Sequence, residues 1–121
     1  MQLAAVRIFV TDLPAAAKFY ADVVGLPLMD SSPDVVMFGD SPTILLEPAG
    51  DDPDDRDLVG RFTGLSFATD DADALHAELM RAGVPTHGRP ERQLWGGALL
   101  HADDPSGNTI TFVQLPAQAA A

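Results

Sequence analysis

Two charged residues stand in apolar strand-like runs where their chemistry could be used. Arg7 interrupts Ala5-Val6-Arg7-Ile8-Phe9-Val10, and Glu47 closes Thr43-Ile44-Leu45-Leu46-Glu47. A guanidinium in that setting could clamp a carboxylate or phosphate, and a carboxylate could hold a cation or accept a proton. The two could equally neutralise each other or reach into solvent. Trp95 precedes Gly96-Gly97 on a loop entering a strand. Its ring could stack on a planar ligand, anchor a dimer interface or plug the core. His87 and His101 could act as general bases, although the sequence identifies no carboxylate partner for either; His76 falls on a half-exposed helix position. No nucleophile–base pair, glycine-rich phosphate loop or nucleotide fingerprint is present.

The elements that carry these residues recur twice. Ala5–Val10 alternates with a period of two, as a strand does, and Thr11-Asp12 follows as a helix N-cap with Pro14 in the first turn. Ala16, Phe19, Tyr20 and Val23 then share one helical face, which Gly25 ends. Strands are expected at 26–29, 35–38 and 43–47, the last two joined by the turn Gly39-Asp40-Ser41-Pro42. The second copy opens with Gly64–Thr69 and caps its helix with Asp71; the expected buried stripe is Ala72, Leu75, Leu79 and Ala82. Strands follow at 85–89, 97–102 and 109–114, the last two joined by the turn Asp104-Pro105-Ser106-Gly107. The expected fold class is α+β: two βαβββ modules in tandem, with mixed sheets curved around a central cleft. One domain spans 1–121, made of a first module at 1–50, an acidic linker at 51–60, a second module at 61–116 and a tail at 117–121.

Bulk properties narrow the partners. The 121 residues carry a net charge of -11, which disfavours nucleic acid and anionic membranes and suits neutral or cationic ligands. Much of that charge lies in Asp51-Asp52-Pro53-Asp54-Asp55-Arg56-Asp57, which lacks the spacing and closing Glu of a calcium loop and reads as a solvated linker. There are no cysteines, so disulfide and thiolate chemistry are excluded. No apolar run approaches the ~20 residues of a membrane span, and no signal peptide is visible, so the expected location is the cytoplasm. A single module of about 60 residues is marginal alone, which points to a shared core or a homodimer.

The ordered set Val6-Arg7-Ile8-Phe9-Val10-Thr11-Asp12-Leu13, Phe19-Tyr20, Gly25-Leu26, Trp95-Gly96 and Asp104-Pro105-Ser106-Gly107-Asn108-Thr109-Ile110 resembles the vicinal oxygen chelate superfamily. That superfamily includes glyoxalase, extradiol dioxygenases, and fosfomycin- and bleomycin-resistance proteins. The resemblance implies a divalent metal held by a His or Glu from each of four strands. Here the matching positions are Ala5, Gly64, Thr111 and either Leu45 or, with a shift of two, Glu47. At best one of the four is a strong donor, so no metal and no cofactor is expected; a weakly held divalent metal is the alternative.

The resemblance then implies a metal-independent, drug-sequestering protein that binds a small organic molecule, aromatic or cationic. The alternative is a lyase, isomerase or dioxygenase with a non-standard metal site. Pocket candidates are Arg7, Phe9, Leu45, Glu47, Ser66, Trp95, His101 and Thr111.

Overall fold

The computed structural model describes residues 1–39 and 42–117. Asp40 and Ser41 of the expected turn, and 118–121 of the expected tail, lie outside the described residues. The chain divides into two compact units. The first is Met1–Arg61 with Pro105–Asn108, and the second is Phe62–Asp104 with the chain from Thr109 onward.

The first unit runs β1 (Ala5–Val10), α1 (Leu13–Lys18), β2 (Leu28–Ser31), β3 (Val36–Phe38), β4 (Thr43–Pro48) and a short α2 (Pro53–Arg56). Asp12 caps α1 by accepting from the amide of Ala15 at 3.0 Å. After Lys18 the helix widens into a π-helical turn over Phe19–Val23, where the amide of Val24 reaches back to the carbonyl of Phe19. Of the expected helical face, Ala16, Phe19 and Tyr20 are buried, with Leu13 beside them, while Val23 is only half-buried. Phe19 and Tyr20 meet edge to face at 5.1 Å.

The sheet order is β1-β4-β3-β2, with β1 parallel to β4 and the other pairs antiparallel. Ile8, Val10, Val36, Phe38 and Leu46 form the core side of this sheet. Burial of side chains this large contributes roughly 1.5–3 kcal/mol each.

Asp52 caps α2 inside the acidic segment 51–60, with Pro53 in the first turn. All four residues of edge strand β2 are exposed. This strand begins two residues later than the sequence pattern suggests.

The second unit repeats the order as β5 (Phe62–Ala68), α3 (Ala72–Arg81), β6 (Glu91–Arg92), β7 (Ala98–Asp103) and β8 (Thr109–Gln114). Its sheet order is β5-β8-β7-β6, with β5 parallel to β8. The repeat extends to the cap: Asp71 accepts from the amide of Ala74 at 3.0 Å, as Asp12 does from Ala15. Both sheets are mixed, the fold is α+β, and neither sheet closes into a barrel.

Two expectations about this unit need correction. Ala82 is exposed rather than part of the buried stripe, because α3 ends at Arg81 and Ala82 is its C-cap; Leu75 is only half-buried. The strand expected at 85–89 is not continuous. Thr86 makes an isolated bridge to Ala102, and regular pairing resumes only at Glu91–Arg92, beyond Pro90. Proline has no amide hydrogen to offer the ladder, which accounts for the break.

The Asp-Pro-Ser-Gly-Asn turn does more than reverse the chain. Buried Asn108 donates from Nδ2 to the carbonyl of Phe9 at 2.9 Å and accepts the amide of Gly60 on Oδ1 at 2.8 Å. Ser106 Oγ accepts the amide of Thr11 at 2.9 Å. These bonds tie the turn into the first unit, and the sequence reading did not foresee them. Among the described residues, no helix is long and apolar enough to cross a membrane.

Candidate functional site

Strand alternation sends the core residues of each sheet to its helix-covered face and leaves the candidate residues on the other. On the first sheet this helix-free face carries Arg7, Phe9, Leu45 and Glu47. Arg7 is paired across β1 and β4 with Leu45, and Phe9 with Glu47. Arg7 therefore meets Glu47 on the diagonal. Nε donates to Oε1 at 3.1 Å and Nη2 to Oε2 at 2.7 Å, a two-point pair. The guanidinium carbon also lies 5.2 Å from the centroid of the Phe9 ring. The hydrogen bonds that Glu47 accepts, then its charge, raise the Arg7 guanidinium above its ordinary value, so it stays protonated. Of the roles open to these two residues, mutual neutralisation is the one the structure adopts.

The same face of the second sheet carries Ser66, Thr111 and His101. Thr111 is paired with Ser66 on one side and His101 on the other. His101 Nδ1 and Thr111 Oγ1 share a hydrogen bond of 2.8 Å, and the Phe62 ring meets the imidazole in a T-shaped contact with centroids 5.6 Å apart. The register of β7 against β8 thus puts His101 level with Thr111. Trp95 sits in the turn between β6 and β7, 49% exposed, with its ring lying over the backbone of Gly97. It is not a core plug.

The repeat also fixes the fourth family position. Ser66 lies two residues after Gly64 and pairs with Thr111; Arg7 lies two residues after Ala5 and pairs with Leu45. Leu45, not Glu47, is therefore the counterpart of Thr111. The four positions are Ala5, Leu45, Gly64 and Thr111, three of them without a donor atom and the fourth with its hydroxyl engaged by His101. This set does not fit a divalent metal. Among the described residues, no three His, Asp or Glu side chains are grouped to hold one elsewhere.

Gly64 has its own reason to be glycine. Its φ is +76°, at a shift of register in β5, and a Cβ there would meet nothing within 4 Å. Backbone conformation, not crowding, excludes a side chain.

One pair escaped the sequence reading. His87 Nε2 lies 2.7 Å from Asp103 Oδ1, which also accepts the hydroxyl of Thr109 at 2.8 Å. Asp103 falls two residues after His101 on β7, so alternation alone could have placed it on the helix-free face. The broken strand around His87 gave no comparable signal.

Two shallow concavities lie at equivalent ends of the parallel strand pairs, one per unit. That of the first unit, about 400 Å³, includes Thr11, Ala49 and Ser106; that of the second, about 340 Å³, includes Ala68, Val113 and Pro116. Neither contains one of the eight pocket candidates named from the sequence.

Solved structures with the same fold extend over nearly the whole chain. A Glyoxalase/bleomycin resistance protein/dioxygenase superfamily member from Sphaerobacter thermophilus is 26% identical, with TM-score 0.77, covering 94% of this chain and 97% of that one. TnmS3, an antibiotic binding protein from Streptomyces sp. CB03234, is 28% identical, with TM-score 0.75 and 97% of each chain covered. A lactoylglutathione lyase from Agrobacterium tumefaciens shares the fold at 23% identity and TM-score 0.73, covering 92% of this chain and 91% of that one. No curated protein matches the chain. The duplicated βαβββ order, the paired aspartate caps and a family model matched over residues 2–112 agree: the chain belongs to the Glyoxalase/Bleomycin resistance protein/Dioxygenase superfamily.

Proposed function

We propose that this protein binds and sequesters a small planar organic molecule, without a metal, using the helix-free face of its first sheet. The observation that carries the reading is the closed Arg7–Glu47 pair beside Phe9 and Leu45. It offers an apolar and aromatic surface whose charges are already spent, which suits a neutral aromatic ligand better than a cationic one. The helix-free face of the second sheet carries its own polar set, Ser66, Thr111 and His101. Likeness to an antibiotic binding protein at 28% identity supports the same class of ligand. The Agrobacterium lyase, at 23% identity, adds only the fold. The proposed working form is a cytoplasmic homodimer, in which a second copy would help to keep water from these faces.

The test is titration of the purified protein with neutral and cationic aromatic antibiotics, followed by Trp95 fluorescence and melting temperature. Neutral planar members should shift both, and Ala5→Leu should weaken binding while the protein stays folded. If no panel member shifts either signal, the sequestering role fails.

A further inference from the structure

We propose that His87 and Asp103 form a proton-transfer dyad, with Nδ1 of His87 accepting a proton from a small organic carbon acid. The inference does not depend on the sequestering role. Asp103 Oδ1 accepts two hydrogen bonds, from the Thr109 hydroxyl and from His87 Nε2. A carboxylate oxygen that already takes the Thr109 proton can meet a ring nitrogen at 2.7 Å only if that nitrogen carries a hydrogen. In the neutral imidazole the Nε2–H form is therefore fixed, and Nδ1 is the basic atom.

The ring is held as well as polarised. The amide of His87 donates to the carbonyl of His101, and the amide of Asp103 donates to that of Pro85, so both partners hang on one hydrogen-bonded frame. The His87 side chain is 49% exposed, which leaves room for an acid to approach. A carboxylate that fixes the tautomer and orientation of an accessible imidazole is the arrangement that general-base chemistry requires. Asp103 acts as a positioning residue. Asp103 shares the helix-free face of β7 with His101, so the proton acceptor borders the surface already described.

The probe is 5-nitrobenzisoxazole, a neutral planar carbon acid. The base removes the proton from the ring C–H. The N–O bond breaks, its electron pair ends on oxygen, and a nitrile and a coloured phenolate form. The imidazolium then returns its proton to water, so no co-reactant is consumed.

The wild-type protein should eliminate the probe faster than free imidazole at equal concentration, with saturation. His87→Gln should lower turnover by about a hundredfold. Asp103→Asn should lower kcat and leave KM in place, and His76→Gln on α3 should change nothing. His87→Ala should regain turnover when imidazole is added, a response that a purely structural latch cannot give. Turnover no faster than free imidazole overturns the proposal without recourse to any variant. Full activity in folded His87→Gln, or no rescue of folded His87→Ala, overturns it too.

Discussion

Arg7 and Glu47 sit one diagonal step apart on adjacent parallel strands, and two hydrogen bonds of 3.1 and 2.7 Å lock them into one planar, neutral group. Their side chains are 59% and 23% exposed, so the pair is a surface feature and adds little to stability by itself. Its consequence is selectivity. Because Glu47 raises Arg7 above its ordinary value, the guanidinium keeps its proton over any practical working range.

Glu47→Gln should release the guanidinium and change which ligands are preferred. Aromatic carboxylates should gain about tenfold in affinity, while neutral planar compounds stay within about twofold. Isothermal titration against matched acid and amide pairs measures this. An unchanged ratio between the two series would show that Arg7 does not face the ligand.

Gly64→Ala should cost about 1–2 kcal/mol, all of it from forcing a side chain onto a left-handed backbone. The space around Gly64 is open, so no steric penalty adds to it. Urea denaturation should show a lower midpoint with an unchanged slope. Ala5→Leu, on an ordinary strand backbone, should lie within about 1 kcal/mol of the wild type.

Gly97→Ala should be more severe. The new methyl group would fall within the Trp95 ring and against the carbonyl of Gln114. A loss of about 1–3 kcal/mol is expected, with a red shift of Trp95 emission as the ring leaves the hairpin. An unshifted spectrum with full stability would mean that the turn adapts freely.

Dialysis against zinc, nickel and manganese, followed by elemental analysis, should leave no stoichiometric metal. Ala5, Leu45 and Gly64 supply no donor, and Thr111 supplies only a neutral hydroxyl. One tightly held ion per chain would restore the enzymatic reading.

Much of the fold was legible because its signals are local. The Asp12 and Asp71 caps, the alternation of β1 and β5 and the Phe19-Tyr20 face each depend on a few neighbouring residues. Pairing across long separations was harder. Whether Leu45 or Glu47 matched Thr111 depended on the register of β1 against β4, which no local pattern encodes. The His87–Asp103 contact was hidden for a similar reason. It joins an irregular stretch to a regular strand, and only the bridge at Thr86 brings them together. Gly64 stands at a position matching a family ligand, yet it answers to a backbone angle that its place in the sequence does not display.

Asn108 gives the chain an order of assembly. The carbonyl of Phe9 and the amide of Gly60 both wait for a side chain encoded far downstream. A ribosome that has released only the first sixty or so residues has not yet supplied it. The first half of the chain on its own therefore lacks the partner of both groups. A fragment ending at Arg61 should be looser than the same residues in the whole protein. Cutting between the halves would not yield two independent pieces, because the second copy of the repeat carries the last fastening of the first.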